Sequence, residues 1–217
     1  MEARKYLAEL VGTFILVVVG SMTIVAAGRM GTPIQAVVPF GFGLGLLAAI
    51  QAAGYVSGGH FNPAVTLAAL LDSRIDVMNA VGYVVAQVIG AIAASGVVLL
   101  VADQAAVQST ASGFPPGTMV NALAVEALLT AIFVLVILTV TKRAPNHAAF
   151  AIPLTLTVIH FAGIPFSGAS VNPARSLAPA LVGGTLDGNI IVWIVGPLIG
   201  AVVGWAVYRA LEDGSTR

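Results

Sequence analysis

The chain has 217 residues, 59% of them hydrophobic and 8% charged, with a formal net charge of zero and a mean hydropathy of +1.02. A water-soluble domain carries about a quarter charged residues, so this chain cannot cover itself with polar surface and its natural solvent is the bilayer. Balanced charge gives no footing for nucleic acid or a polybasic lipid clamp, and the lack of cysteine excludes disulfide and thiolate chemistry.

Charge-free runs cover residues 10–28, 30–71, 77–102, 104–125, 144–174 and 188–208. About 20 apolar residues cross a ~30 Å hydrocarbon core, which predicts membrane helices over 6–27, 34–56, 79–101, 119–141, 148–165 and 189–209. In the first, Arg4 and Lys5 precede an apolar stretch ending in Val25-Ala26-Ala27, as in a secretory signal. Signal cores are only ~7–15 residues long; this run is longer, and a permanent helix is expected. Six spans return both termini to one side, which then holds Arg4, Lys5, Arg74, Lys142, Arg143, Arg209 and Arg217. The opposite side holds Arg29 and a long loop, 102–118, without a basic residue. Positive charge concentrates on the cytoplasmic side, so both termini are expected there.

Between the second and third spans stands SGGHFNPAVTLAALL (57–71), and between the fifth and sixth SGASVNPARSLAPAL (167–181). Eight of the fifteen paired positions are identical, each pair 110 residues apart. The same offset relates Gln87-Val-Ile-Gly-Ala91 to Pro197-Leu-Ile-Gly-Ala201, while Glu9 and Thr13 are echoed, with a small shift, by Glu126 and Thr130. Internal repetition of this kind marks duplicated architecture. Each half has three spans, an odd number, so the second must enter the membrane from the opposite face. The reading is a single transmembrane domain of two inverted repeats, 1–102 and 119–211, whose matching segments meet near the midplane. Small residues recur every fourth position in the third helix of each half (Ala86, Gly90, Ala94; Gly196, Gly200, Gly204), a pattern that lets helices pack closely in lipid.

Asn-Pro reads as a helix start, because Asn is a good N-cap and Pro suits the first helical position. The apolar run behind each pair, to Leu71 and Leu181, is about ten residues, or ~15 Å of helix, half a bilayer. The fold class expected is therefore an all-α membrane bundle of six transmembrane helices plus two re-entrant half-helices. Irregular backbone at membrane depth is tolerated only beside protein or a wet cavity. The carbonyls of Gly58, Gly59 and His60, and of Gly168, Ala169 and Ser170, are expected to line such a cavity as acceptors. Asn62 and Asn172 are expected to cap their helices through oxygen and to point amide donors into the lumen. Arg175 stands where the first copy has Val65, at the positive end of a helix dipole, where arginine costs roughly 2.5–3.5 kcal/mol within a membrane. A pore role explains that cost; a salt bridge to Glu9 or Glu126 is the structural alternative.

Over its whole length the chain resembles the aquaporin (major intrinsic protein) family, through both Asn-Pro-Ala boxes (Asn62-Pro63-Ala64, Asn172-Pro173-Ala174), SGGHFNPAVT, the Glu-x-x-x-Thr of each half, AQVIGA and GPLIGA. The resemblance implies a right-handed bundle, a homotetramer with one pore per subunit, and residence in the plasma membrane. It puts the selectivity filter at Phe42, His160, Ala169 and Arg175, with imidazole and guanidinium as donors to a single water. Ala169 falls where many members have Thr or Cys. The glycerol-conducting branch typically has a small residue where His160 stands and Asp where Ser176 stands, so the water-selective branch is favoured. The resemblance also makes Glu9 and Glu126 braces for the re-entrant loops, with proton relay the alternative, and His60 a structural residue near the cytoplasmic vestibule. The expected function is passive single-file water permeation excluding protons and ions. The rivals are a facilitator for glycerol or another small neutral solute and an ion-coupled secondary transporter, whose coupling site would have to be Glu9 or Glu126. Neither a metal-ligand cluster nor a nucleophile–base pair stands out, so no enzyme, cofactor or metal is expected.

Overall fold

The structure, a computed structural model, describes residues 2–212; Arg217, counted above among the basic residues, lies outside the described residues. All the described elements are helical. In chain order they are α1 (Glu2–Met30), α2 (Ile34–Ser57), α3 (Pro63–Leu71), α4 (Val77–Val101), α5 (Gln104–Ser109), α6 (Met119–Arg143), α7 (Pro145–Ser167), α8 (Pro173–Val182) and α9 (Ile190–Leu211). Of these, α1, α2, α4, α6, α7 and α9 are long and apolar enough to cross a membrane. They coincide with the predicted spans, and most run a few residues further. Helical hydrogen bonding continues into the charged flanks, where pairs such as Lys5–Glu2, three residues apart at 3.2 Å, support the first turn. Asp76 caps α4 by accepting from Asn79 N at 2.9 Å, a bond that holds its carboxyl below its ordinary value. Near its end α2 widens into a π-helical turn, Ile50–Gly54.

One expectation needs correction. Segment 102–118 is not all loop, because Asp103 caps α5 by accepting from Ala106 N at 2.8 Å. Gln104 and Gln108 on α5 then donate to Gly183 O, at 3.0 and 2.9 Å, and tie this segment to the end of α8.

Two tight helix pairs carry the bundle, α1 with α4 and α6 with α9, and α2 packs on α7. A Cβ added to Gly90 would stand 2.3 Å from Leu10 O, and one at Gly200 would stand 2.4 Å from Ala127 O. Only glycine admits backbones this close. The distribution of polarity reverses that of a soluble protein. Leu44, Val81, Leu128, Leu154 and Val158 are exposed on the outside, whereas Glu9, Gln87, Glu126, His160 and Arg175 are buried. Lipid satisfies the first set; the second must find partners inside.

Candidate permeation site

Asn62 has extended backbone angles and accepts from Ala64 N at 2.8 Å, and Pro63 follows at the first helical position. Asn172 does the same for α8, accepting from Ala174 N at 3.1 Å and Arg175 N at 3.3 Å. The amide nitrogens behave differently from expectation. Asn62 Nδ2 donates to Val171 O at 2.7 Å, and Asn172 Nδ2 donates to Phe61 O at 2.9 Å. Each asparagine therefore commits one amide hydrogen to the opposite loop, which leaves one uncommitted within the described residues. The reason is proximity: the two helix starts abut, and each presents a carbonyl that would otherwise be unpaired.

The loops ahead of these caps are held in matching shapes. Gly58, Gly59 and Phe61 have φ of 94°, 68° and 50°, and Gly168, Ala169 and Val171 have 78°, 48° and 46°. Left-handed backbone costs a non-glycine residue about 1–2 kcal/mol, so something must hold it. Glu9 Oε1 accepts from His60 N (3.0 Å) and Ser57 Oγ (2.6 Å), and its Oε2 accepts from Phe61 N (2.7 Å) and Gln87 Nε2 (2.7 Å). Glu126 Oε1 accepts from Ser170 N (2.8 Å) and Ser167 Oγ (2.7 Å), and its Oε2 from Val171 N (2.7 Å). Among the described residues neither carboxylate has a cationic partner within salt-bridge distance; the charge is carried by N–H and O–H donors.

The result is a row of free acceptors. Ser57 O is taken by Tyr83 OH at 2.7 Å and Ser167 O by Trp193 Nε1 at 2.8 Å. Phe61 O and Val171 O are taken by the asparagines. Between them, the carbonyls of Gly58, Gly59, His60, Gly168, Ala169 and Ser170 accept no hydrogen bond within the described residues. Tyr83 and Trp193, like Ser57 and Ser167, were not singled out from sequence. Their signal was the 110-residue offset, which relates both pairs.

Phe42, His160 and Arg175 come together. The Phe42 and His160 rings stack with centroids 4.9 Å apart, and the Arg175 guanidinium carbon lies 4.7 Å over the Phe42 ring. Arg175 makes no salt bridge to Glu9 or Glu126; its Nη1 donates to Ser112 Oγ and, at 3.4 Å, to Thr110 O. Its Nε and His160 Nε2 have no partner among the described residues. His160 Nδ1 lies 2.9 Å from Leu156 O. A carbonyl only accepts, so Nδ1 carries the proton and the neutral ring offers Nε2 as an acceptor. A neutral ring therefore sets an acceptor beside the Arg175 donors, where two donor groups were expected.

A cavity of about 350 Å³ runs from Arg74 and Thr141, beside the C-terminal ends of α3 and α6, past both asparagines to Phe42, His160 and Arg175. Gly58, Gly59, His60 and Ser170 line it, but Gly168 and Ala169 do not. Gly168 sits beside the 102–118 segment, where an added Cβ would be 3.1 Å from Gly113 N, and Ala169 is wholly buried close to Gly163. Val65, the counterpart of Arg175, also lines the cavity.

A cavity lined by α1, α2, α6, α7 and the two short helices α3 and α8, within a bundle holding six helices long and apolar enough to cross a membrane, fits a multi-pass integral membrane protein of the channel class. A model of the Major intrinsic protein family matches residues 1–208. The chain is 42% identical to "Glycerol uptake facilitator protein-like 6" of Lactiplantibacillus plantarum over 98% of its own length and 99% of that protein's. It is 40% identical to "Aquaporin Z" of Rhodopseudomonas palustris, over 100% and 96%. Its fold matches the X-ray structure of the aquaglyceroporin from Plasmodium falciparum with a TM-score of 0.88 over 97% of each chain, at 22% identity. The chain belongs to the major intrinsic protein family, and it is a channel, not an enzyme.

Proposed function

We propose that this channel conducts water passively in single file and excludes protons, ions and glycerol. The observation that carries the reading is the Phe42–His160 stack with Arg175 over it. Three bulky groups close around one small polar permeant, whose oxygen accepts from Arg175 and whose hydrogen goes to His160 Nε2. Below the constriction, waters exchange their bulk hydrogen bonds for the unpaired carbonyls of the first loop and Ser170, opposite apolar wall residues such as Leu156 and Val134. At the centre a water accepts from the remaining amide hydrogens of Asn62 and Asn172, so its own hydrogens point outward and no proton wire passes through. The positive ends of α3 and α8, each worth about half a charge, and Arg175 repel cations. Glu9 and Glu126 hold the loops and relay no proton in this reading, since their oxygens are occupied by fixed donors.

The Lactiplantibacillus plantarum relative bears a glycerol-facilitator name at the higher identity, which makes glycerol the second reading. Purified protein in liposomes decides between them: osmotic shrinkage should accelerate with a low activation energy and no comparable glycerol swelling. Glycerol flux rivalling water flux would move the assignment to the second reading, and flux driven by a proton or sodium gradient would move it to a coupled transporter. The halves 1–102 and 119–211 act as inverted repeats, four chains assemble as a homotetramer, and both termini face the cytoplasm of a plasma-membrane protein. Native mass measurement and protease access to tagged termini check the last two points.

A further inference from the structure

We propose that Ser112, in the outer loop, and Ser176, on α8, are positioning residues for the filter arginine, acting through a one-directional chain of hydroxyls that ends on Asn172. The direction follows from counting hydrogens. Ser170 Oγ donates its one hydrogen to Asn172 O at 2.9 Å. Ser176 Oγ lies 2.6 Å from Ser170 Oγ, so Ser176 must be the donor there. Ser112 Oγ lies 2.7 Å from Ser176 Oγ, whose hydrogen is already used, so Ser112 donates in turn. Ser112 Oγ is left with its lone pairs, and Arg175 Nη1 donates to them.

Every hydroxyl dipole in the chain therefore turns its negative end toward the guanidinium. Chains aligned in this way polarise each other and strengthen each bond. Among the described residues no carboxylate lies at salt-bridge distance from Arg175, and of its two side-chain bonds the charge-assisted one to Ser112 is the shorter. Ser170, Ser176, Asn172 and Arg175 are all nearly fully buried, at 2%, 1%, 4% and 5% exposure. Ser112 comes from a segment that α5 anchors to α8 through Gly183 O. The outer loop thus completes the filter from outside the repeated sequence. The inference deepens the permeation reading and rests on Arg175 being the filter cation.

The test pairs transport with a direct view of the side chain. In liposomes, Ser112→Ala should lower the water-to-urea permeability ratio by about tenfold, the equivalent of one charge-assisted hydrogen bond. Ser112→Thr, which keeps the hydroxyl, should restore the ratio, and Ser176→Ala should lower it by a smaller factor. In an Arg175→Val background Ser112→Ala should change nothing further. In parallel, the Arg175 side-chain N–H resonance, assigned by its loss in Arg175→Val, is followed in lipid-embedded protein labelled with 15N-arginine. It should shift or broaden in Ser112→Ala and recover in Ser112→Thr. An unmoved resonance would overturn the proposal whether or not the channel passes water, and so would an equal effect of Ser112→Ala without Arg175. Failure of the wild type to conduct water, with the resonance responding as expected, would instead fault the permeation reading.

Discussion

Segments 57–71 and 167–181 have the same backbone but are held by different side chains. In the first, His60 Nδ1 lies 3.1 Å from Thr66 Oγ1, which donates onward to Asn62 O at 3.0 Å, and Gln87 on α4 bonds both Glu9 and Thr66. In the second, Ser170 and Ser176 occupy the places of His60 and Thr66, and Pro197 replaces Gln87. The polar chain there leaves the repeat altogether and reaches Ser112. Bracing that must stay constant has been kept twice: a carboxylate under each loop, a hydroxyl beside it, and an aromatic donor on the last carbonyl of α2 and α7. What departs is the side chains that complete each network: His60 and Thr66 against Ser170 and Ser176, Val65 against Arg175, and Gln87 against Pro197. The cation that stands in the second segment alone, Arg175, donates to the 102–118 segment at Thr110 O and Ser112 Oγ.

The largest effect that should separate the two segments comes from making each buried carboxylate an amide. Glu126→Gln turns an N–H₂ toward donors that have no alternative acceptor, costing about 3 kcal/mol. Glu9→Gln should cost roughly 1–2 kcal/mol, because Gln87 Oε1 has no partner among the described residues and can turn to accept the new hydrogens. Thermal unfolding in detergent checks the ranking, and equal losses would mean that Gln87 gives the first loop no reserve. Next, Phe42→Ala with His160→Gly opens the constriction, and glycerol permeability should rise roughly a hundredfold, about 2.7 kcal/mol of barrier; unchanged selectivity in swelling assays would show the filter has been misplaced. Arg175→Val makes the second segment resemble the first. A unit charge acting over several ångströms at an effective dielectric near 20 supplies about 2 kcal/mol, so proton or sodium leak should rise tens-fold, and a tight variant would count against the assigned role. The smallest difference concerns the caps. Asn62→Ala and Asn172→Ala each lose an N-cap and one crossed bond, about 2 kcal/mol in all, and the two should destabilise equally.

Much of this was legible beforehand, for local reasons. The six spans follow from runs of apolar residues. The half-helices follow from Asn-Pro and the length of what comes after, and the free carbonyls follow from Ser-Gly stretches that cannot be helix. Residues that hold these parts were legible only in so far as the offset repeats them: Ser57 and Ser167, Tyr83 and Trp193. Gln87 was noticed as part of a match and not as a donor. Ser112 could not be found at all, because it lies outside either copy and meets Arg175 only across 63 residues of chain.

The amino-acid order alone determined the solvent of this protein, the number of its crossings and where its backbone must break, since hydropathy, capping and proline chemistry act over a few neighbouring residues. Tertiary structure decided where each hydrogen points: one amide hydrogen of each asparagine spent across the midplane, His160 turned acceptor by Leu156, and Arg175 fastened by a loop. Those outcomes depend on donors and acceptors brought within about 3 Å from distant parts of the chain, and no local pattern encodes that geometry.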